Sequence, residues 1–168
     1  PRTPRSIRVA SVPADHVYVH HLAPADELPG VPVIERLADP DPDDPVGPAQ
    51  SKWWPPVMLE PEWVREHPDF DVMHLQFGFD ARTPEQLQEW IDALRETGRP
   101  LVYTVHDLRN PHHLDRRLHD AQLDVIVPQA NALVTLTRGA AAEIRERWGR
   151  EAHVLPHPHG VDFATMAD

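Results

Sequence analysis

The chain has 168 residues, 40% of them hydrophobic and 26% charged, which is typical of one globular domain with a single sizeable core. Its formal net charge of -11 repels phosphate backbones, so the composition disfavours nucleic acid as a partner. Cysteine is absent, which excludes a disulfide framework, a thiolate metal site and a cysteine nucleophile.

The sequence shows neither a membrane span nor an export signal. No apolar stretch approaches the roughly 20 residues needed to cross a bilayer. The first residues, Pro1 to Arg5, are basic, but no apolar segment and no small-residue cleavage pattern follow them. We therefore expect a soluble, cytoplasmic protein.

The first third of the chain predicts two strands and a long loop. Residues 7–12 form a short β-branched run stopped by Pro13, and residues 31–37 are a second strand candidate. Residues 38–56 are rich in proline and aspartate, which predicts a loop, and this loop ends near the pair Trp53-Trp54. The pair is interpreted either as an anchor onto the core or as part of a functional loop.

A regular alternation of strands and helices begins at residue 71. Residues 71–77 predict a strand, and Thr83 is a helix cap, with Pro84 in the first turn and Gln86 completing a capping box. One face of this helix carries apolar residues at helical spacing, and Gly98 with Pro100 ends it. These apolar residues are Leu87, Trp90, Ile91 and Leu94.

The alternation continues to the end of the chain. Residues 101–105 are an almost uninterrupted apolar run, as in strands buried on both faces of a parallel sheet. A helix from about 112 or 119 to 130, a strand at 132–136, a helix at 139–148 and a strand at 153–155 follow. We therefore expect a single α/β domain over residues 1–168, with a doubly wound, Rossmann-like open parallel sheet and helices on both faces.

Ligands of such sheets bind at the carboxyl ends of the strands, where the loops and the helix N-termini meet. The residues predicted at this edge form a polar, histidine-rich rim. They are Asp15 and His16, residues 76–79 with Gln76 and Gly78, residues 106–110 with His106, Asp107, Arg109 and Asn110, then Thr137 and Arg138, and residues 157–160 with His157.

His106 is the strongest candidate for chemistry because it directly follows the most apolar strand, which would hold its ring rigidly. An imidazole can donate or accept a hydrogen bond near neutral pH. The alternative is a histidine that only satisfies backbone groups at the end of a strand.

Other chemistries find little support in the sequence. Histidine pairs that suggest a metal site are His112-His113, His157 with His159, and His16 with His20, but none carries the glutamate of a His-Glu-x-x-His helix, so no metal is predicted. No Gly-x-Gly-x-x-Gly motif follows the first strand, which disfavours a dinucleotide cofactor. A Gly-x-Ser-x-Gly elbow is also missing, which disfavours a serine hydrolase of the α/β type.

Three segments in this order resemble the N-terminal domain of GT-B glycosyltransferases, especially the large retaining group. They are Thr-Val-His-Asp at 104–107, Leu-Val-Thr-Leu-Thr at 133–137 and Val-Leu-Pro-His-Pro-His-Gly-Val-Asp at 154–162. The resemblance covers residues 7–163. One departure is that Pro13-Ala-Asp-His16 stands where the family often has a glycine-rich turn.

The resemblance implies an acceptor-binding domain whose nucleotide-sugar donor is held by a second, C-terminal domain absent from this chain. It places His106 near the transferred sugar as the catalytic residue, and the other rim residues at the substrate. The implied co-substrate is a nucleotide-sugar, with no further cofactor. The implied partners are the sugar acceptor and the donor-binding domain, together with a membrane surface if the acceptor is a lipid.

Two further classes stay open at the level of sequence. The first is a free-standing flavodoxin-like module that binds a small ligand or a protein without catalysis. The second is a metal-dependent hydrolase that uses the rim histidines, which would require these side chains to converge.

Overall fold

The computed structural model describes residues 6–22, 30–38, 40, 55–109 and 115–157. The strands in this part of the chain are β1 (Ser6–Val12), β2 (Val33–Arg36), β3 (Val72–Leu75), β4 (Leu101–Val105), β5 (Ala132–Thr135) and β6 (His153–Val154). The helices are α1 (Val17–His20), α2 (Pro61–Glu66), α3 (Pro84–Glu96), α4 (Arg117–Gln129) and α5 (Arg138–Trp148), with a 3-10 helix at Val57–Leu59.

All six strands are parallel and lie in one open sheet in the order β2-β1-β3-β4-β5-β6. The predicted fold class, an α/β Rossmann-like parallel sheet with helices, is confirmed. The chain runs outward from β1 to β2 and then returns to the other side of β1 for β3. The strand order therefore reverses between β1 and β3, which makes this gap the topological switch point of the sheet.

One face of the sheet carries the core. Met73 lies opposite Leu101, and Leu75 lies opposite Tyr103, at neighbouring positions of β3 and β4. All four side chains are buried in a cluster that also contains apolar residues of α2, α3 and α4. Each fully buried large apolar side chain stabilises the fold by roughly 1.5–3 kcal/mol, so this face supplies most of the driving force for folding.

The helix ends confirm several predictions from local sequence. The Thr83 hydroxyl accepts from the Gln86 amide at 3.2 Å, and the Gln86 side chain accepts from the Thr83 amide at 2.9 Å, which is the predicted capping box. Helix α5 begins at Arg138, one residue before the prediction, because the Thr137 hydroxyl caps it. It ends at Gly149, whose φ of 64° is left-handed.

Some elements differ from the prediction. Strand β3 ends at Leu75 rather than Phe77, and α4 begins at Arg117, between the two predicted starts. Helices α1 and α2 were not predicted. The Trp53-Trp54 pair and most of the predicted 38–56 loop lie outside the described residues. Within the described part of the chain, no helix is long and apolar enough to cross a membrane.

The capping box gives a direct test of the local account of α3. The change Thr83→Ala removes the hydroxyl acceptor and is expected to lower the free energy of unfolding by about 1 kcal/mol. Thr83→Ser keeps the acceptor and should stay close to the wild type in the same urea titration. Equal stability of the Ala variant and the wild type would contradict a stabilising cap.

Candidate functional site

The loop after β3 begins at the switch point, and two hydrogen bonds join its first residue, Gln76, to the end of β1. The Gln76 amide donates to the Val12 carbonyl at 2.8 Å. The Gln76 side chain is buried and donates to the Ser11 hydroxyl at 3.0 Å. Gly78 follows with a φ of 94°, which favours glycine, so the chain can turn sharply after the strand. The predicted rim residues Gln76 and Gly78 therefore shape this edge through their backbone and buried contacts.

Five rings pack together at this edge, and we call them the rim cluster: His16, Tyr18, Phe77, His106 and His157. The ring of Tyr18 lies edge-on to that of His106, with 4.5 Å between centroids. Phe77 lies edge-on to His106 at 5.4 Å and to His16 at 5.0 Å. His157 lies 4.9 Å from Tyr18 and 6.3 Å from His106. The structure thus brings three predicted rim histidines together around two aromatic side chains.

His106 occupies the centre of the rim cluster. Burial lowers the pKa of its imidazole below the ordinary value, opposed by the Asp107 carboxylate and reinforced by His157 and His16. Its Nε2 atom is buried and has no hydrogen-bond partner among the described residues. The ring is therefore neutral at pH 7, and one nitrogen remains available for a hydrogen bond that the described protein groups do not make.

The side chain of His16 makes a hydrogen bond to the backbone. Its Nδ1 accepts from the Tyr18 amide at 3.1 Å, at the start of α1. Because Nδ1 is an acceptor here, the proton of the neutral ring resides on Nε2. His16 therefore orients Tyr18 and presents an N–H group from its other side.

A second pair of polar side chains lies within the sheet, below the rim cluster. The Nε2 atom of His74 on β3 lies 2.8 Å from the Thr104 hydroxyl on β4. Burial lowers the pKa of His74 to about 4, with smaller contributions from the charge of Arg36 and from His106. His74 is therefore neutral at physiological pH and behaves as a structural hydrogen-bonding group.

The remaining predicted rim residues lie around the rim cluster with other contacts. Asp15 pairs with His20 at 2.8 Å, and both side chains are exposed. Asp107 is exposed, and the Arg109 guanidinium lies 4.0 Å from the Glu143 carboxylate.

At the end of β5, Thr137 caps α5, so its hydroxyl is already engaged, and Arg138 is the exposed first residue of that helix. Asn110 lies outside the described residues. Contact of the rim residues with substrate stays a prediction.

Tyr18 and His74 were missing from the predicted rim. Phe77 lies in the predicted 76–79 segment of the rim, but no role was assigned to it. The sequence carries no signal for Tyr18, because α1 has only four residues and shows no helical periodicity. His74 was included in a predicted strand, but its partner on β4 follows only from the register.

The described residues contain no group of three or more histidine, aspartate or glutamate side chains that could hold a metal ion. In the His16 and His20 pair, His16 accepts from a backbone amide and His20 pairs with Asp15. The pair His112-His113 and His159 lie outside the described residues.

Comparison with known proteins gives one distant structural likeness. No protein-family model matches the chain, and no curated protein matches its sequence. Among solved structures, Alr3699/HepE of Anabaena in complex with UDP is similar at 12% identity and a TM-score of 0.46. The match covers 91% of this chain and 44% of that chain, so the present chain spans less than half the length of the structure it resembles.

Burial of His106 by Tyr18 is directly testable. The change Tyr18→Ala opens the ring packing, so the pKa of His106 should rise toward 6.5, because desolvation is the main cause of its lowering. Tyr18→Phe keeps the ring and should leave the pKa close to its wild-type value. The measurement is an NMR titration of the His106 Cε1–H signal. An unchanged pKa in the Ala variant would show that burial by Tyr18 does not lower the pKa of His106.

The lowered pKa of His74 predicts that the folded protein loses stability in acid. The unfolded chain takes up a proton near pH 6.5 and the folded chain only near pH 4. The His74 contribution is therefore complete above pH 6.5 and is lost as the pH falls to 4, lowering the free energy of unfolding by up to about 3 kcal/mol. His74→Gln should remove this part of the slope in urea titrations at a series of pH values. The same slope in both proteins would contradict the assignment.

Proposed function

We propose that this chain is the acceptor-binding, N-terminal domain of a GT-B glycosyltransferase that transfers a sugar from a nucleotide-sugar to an acceptor. The observation that carries the proposal is the position of His106. This residue directly follows β4, the neighbour of β3 in the sheet, and its buried Nε2 has no hydrogen-bond partner among the described residues. The ordered segments at 104–107, 133–137 and 154–162 support the same proposal through their resemblance to that family.

The proposed reaction breaks the bond between the anomeric carbon of the donor sugar and the diphosphate oxygen. A new bond forms from the anomeric carbon to a hydroxyl oxygen of the acceptor, and the hydroxyl proton passes to the departing diphosphate or to water. A neutral imidazole at His106 can hydrogen-bond a sugar hydroxyl and orient the ring for this transfer. The lowered pKa of His106 keeps the ring in its neutral form at pH 7.

The other rings of the rim cluster fit the acceptor side of this reaction better than the donor side. Aromatic and imidazole rings offer apolar surfaces against which a sugar ring can pack. The departing diphosphate needs positive charge or backbone N–H groups. Those groups would be supplied by a second, donor-binding domain of the complete protein.

The strand order favours one alternative function. The first five strands have the order β2-β1-β3-β4-β5, which is that of flavodoxin-like binding domains. A free-standing module of this kind would bind a small ligand at the same edge without turnover. Calorimetry with nucleotide-sugars that shows binding to the complete gene product, together with no turnover, would favour this function.

The role of His106 is tested by a pair of histidine substitutions. His106→Ala should lower the nucleotide-sugar turnover of the complete gene product by about 100-fold, because a positioned hydrogen-bonding group is lost. His153→Ala removes an exposed histidine on β6 and should leave turnover unchanged. Circular dichroism checks that both variants are folded. Wild-type turnover in the His106 variant would overturn the proposed role.

A further inference from the structure

Helix α4 contacts two of the segments that carry the rim cluster, namely the loop after β3 and the loop after β4. Its residues His119 and Gln122 are three positions apart, and both are buried polar side chains, with 5% and 1% of their surface exposed. A spacing of three residues places them on the same face of the helix. Neither residue belongs to the predicted site, and neither has a part in the reaction proposed above.

Gln122 binds the loop between β3 and α3. Its side-chain nitrogen lies 2.6 Å from the Arg82 carbonyl, 3.2 Å from the Phe79 carbonyl and 3.3 Å from the Asp80 carbonyl. An amide nitrogen has only two hydrogens, so at least one is shared between two of these carbonyls. A single side chain therefore binds three carbonyls of this loop, directly after Phe77 and Gly78.

His119 binds the loop after β4. Its Nε2 atom lies 3.1 Å from the Asp107 carbonyl, and since a carbonyl only accepts, this nitrogen is the donor. The ring also stacks on Phe79, with 6.2 Å between centroids and 11° between planes. His119 therefore connects the two loops, and it holds the residue whose carboxylate acts on the pKa of His106.

We propose that His119 and Gln122 are positioning residues, which hold the loops after β3 and β4 so that Phe77 and Asp107 keep their places around His106. The effect on turnover rests on the proposed function, whereas the effect on the loops and on His106 does not. Displacement of a reacting group by about 1 Å can lower a rate by about 100-fold, so such anchoring matters to catalysis even at a distance from the substrate.

Helix α4 also provides a matched control. Gln129 is the same residue type in the same helix, and its side-chain nitrogen donates to the Gln88 side chain at 2.7 Å and to the Val125 carbonyl at 2.9 Å. These partners lie on helices α3 and α4, away from the two loops. A substitution at Gln129 therefore measures the effect of losing a half-buried side-chain amide that binds neither loop.

The first experiment compares Gln122→Met with Gln129→Met in the complete gene product. Methionine keeps the length of the side chain and removes both donors. Hydrogen exchange of the amides at 79–82 should be at least about tenfold faster in the Gln122 variant than in the wild type, and unchanged in the Gln129 variant. Equal exchange at 79–82 in the two variants would overturn the role of Gln122.

The second experiment uses two substitutions of His119. His119→Phe keeps a ring against Phe79 and removes the donor, so Asp107 is released and the pKa of His106 should fall further below its ordinary value. His119→Gln supplies an N–H group in place of Nε2 and should keep the pKa of His106 close to its wild-type value. An NMR titration of His106 measures both, and an unchanged pKa in the Phe variant would overturn the role of His119.

Turnover separates this inference from the proposed function. If both are correct, Gln122→Met and His119→Phe should lower kcat/KM by about tenfold or more, whereas Gln129→Met should not. If the loop exchange and the His106 pKa respond as expected but the wild type turns over no nucleotide-sugar, the positioning role stands and the proposed function fails.

Discussion

The structure depends on the burial of one apolar face of a parallel sheet. Met73 and Leu75 on β3 pack beside Leu101 and Tyr103 on β4, under helices α2 to α4. This packing fixes the register of the central strands. Because the strands are parallel, a fixed register brings all their carboxyl ends to one edge, and the polar loops that follow them have to share that edge.

The candidate site is a consequence of this arrangement. The return of the chain from β2 to β3 opens the switch point beside β1, and α1 directs Tyr18 onto His106 there. The same burial that packs the rings removes water from the imidazole and keeps it neutral. The predicted rim thus divides into a packed cluster around His106 and a set of outer residues, such as Arg138, whose contact with substrate stays a prediction.

The sequence predicted those features that depend on neighbours along the chain. Helix α3 followed from its capping box and its apolar spacing, and His106 followed from its position after a strongly apolar strand. Helix α2 has six residues, too few to show a periodic pattern, and was missed. The contact of Phe77 with His106 joins different strands, and a single sequence does not give their register. For the same reason, the sequence alone does not show that His119 and Gln122 of α4 bind the two loops.

The most direct test of the central claim is hydrogen exchange of the complete gene product with and without a saturating nucleotide-sugar and acceptor. Binding to the edge around His106 predicts protection of the amides at 14–18, 76–79 and 106–109, with little change at the opposite edge of the sheet. Turnover without protection in these three segments would show that the reaction takes place elsewhere in the protein, and the site described for this chain would be wrong.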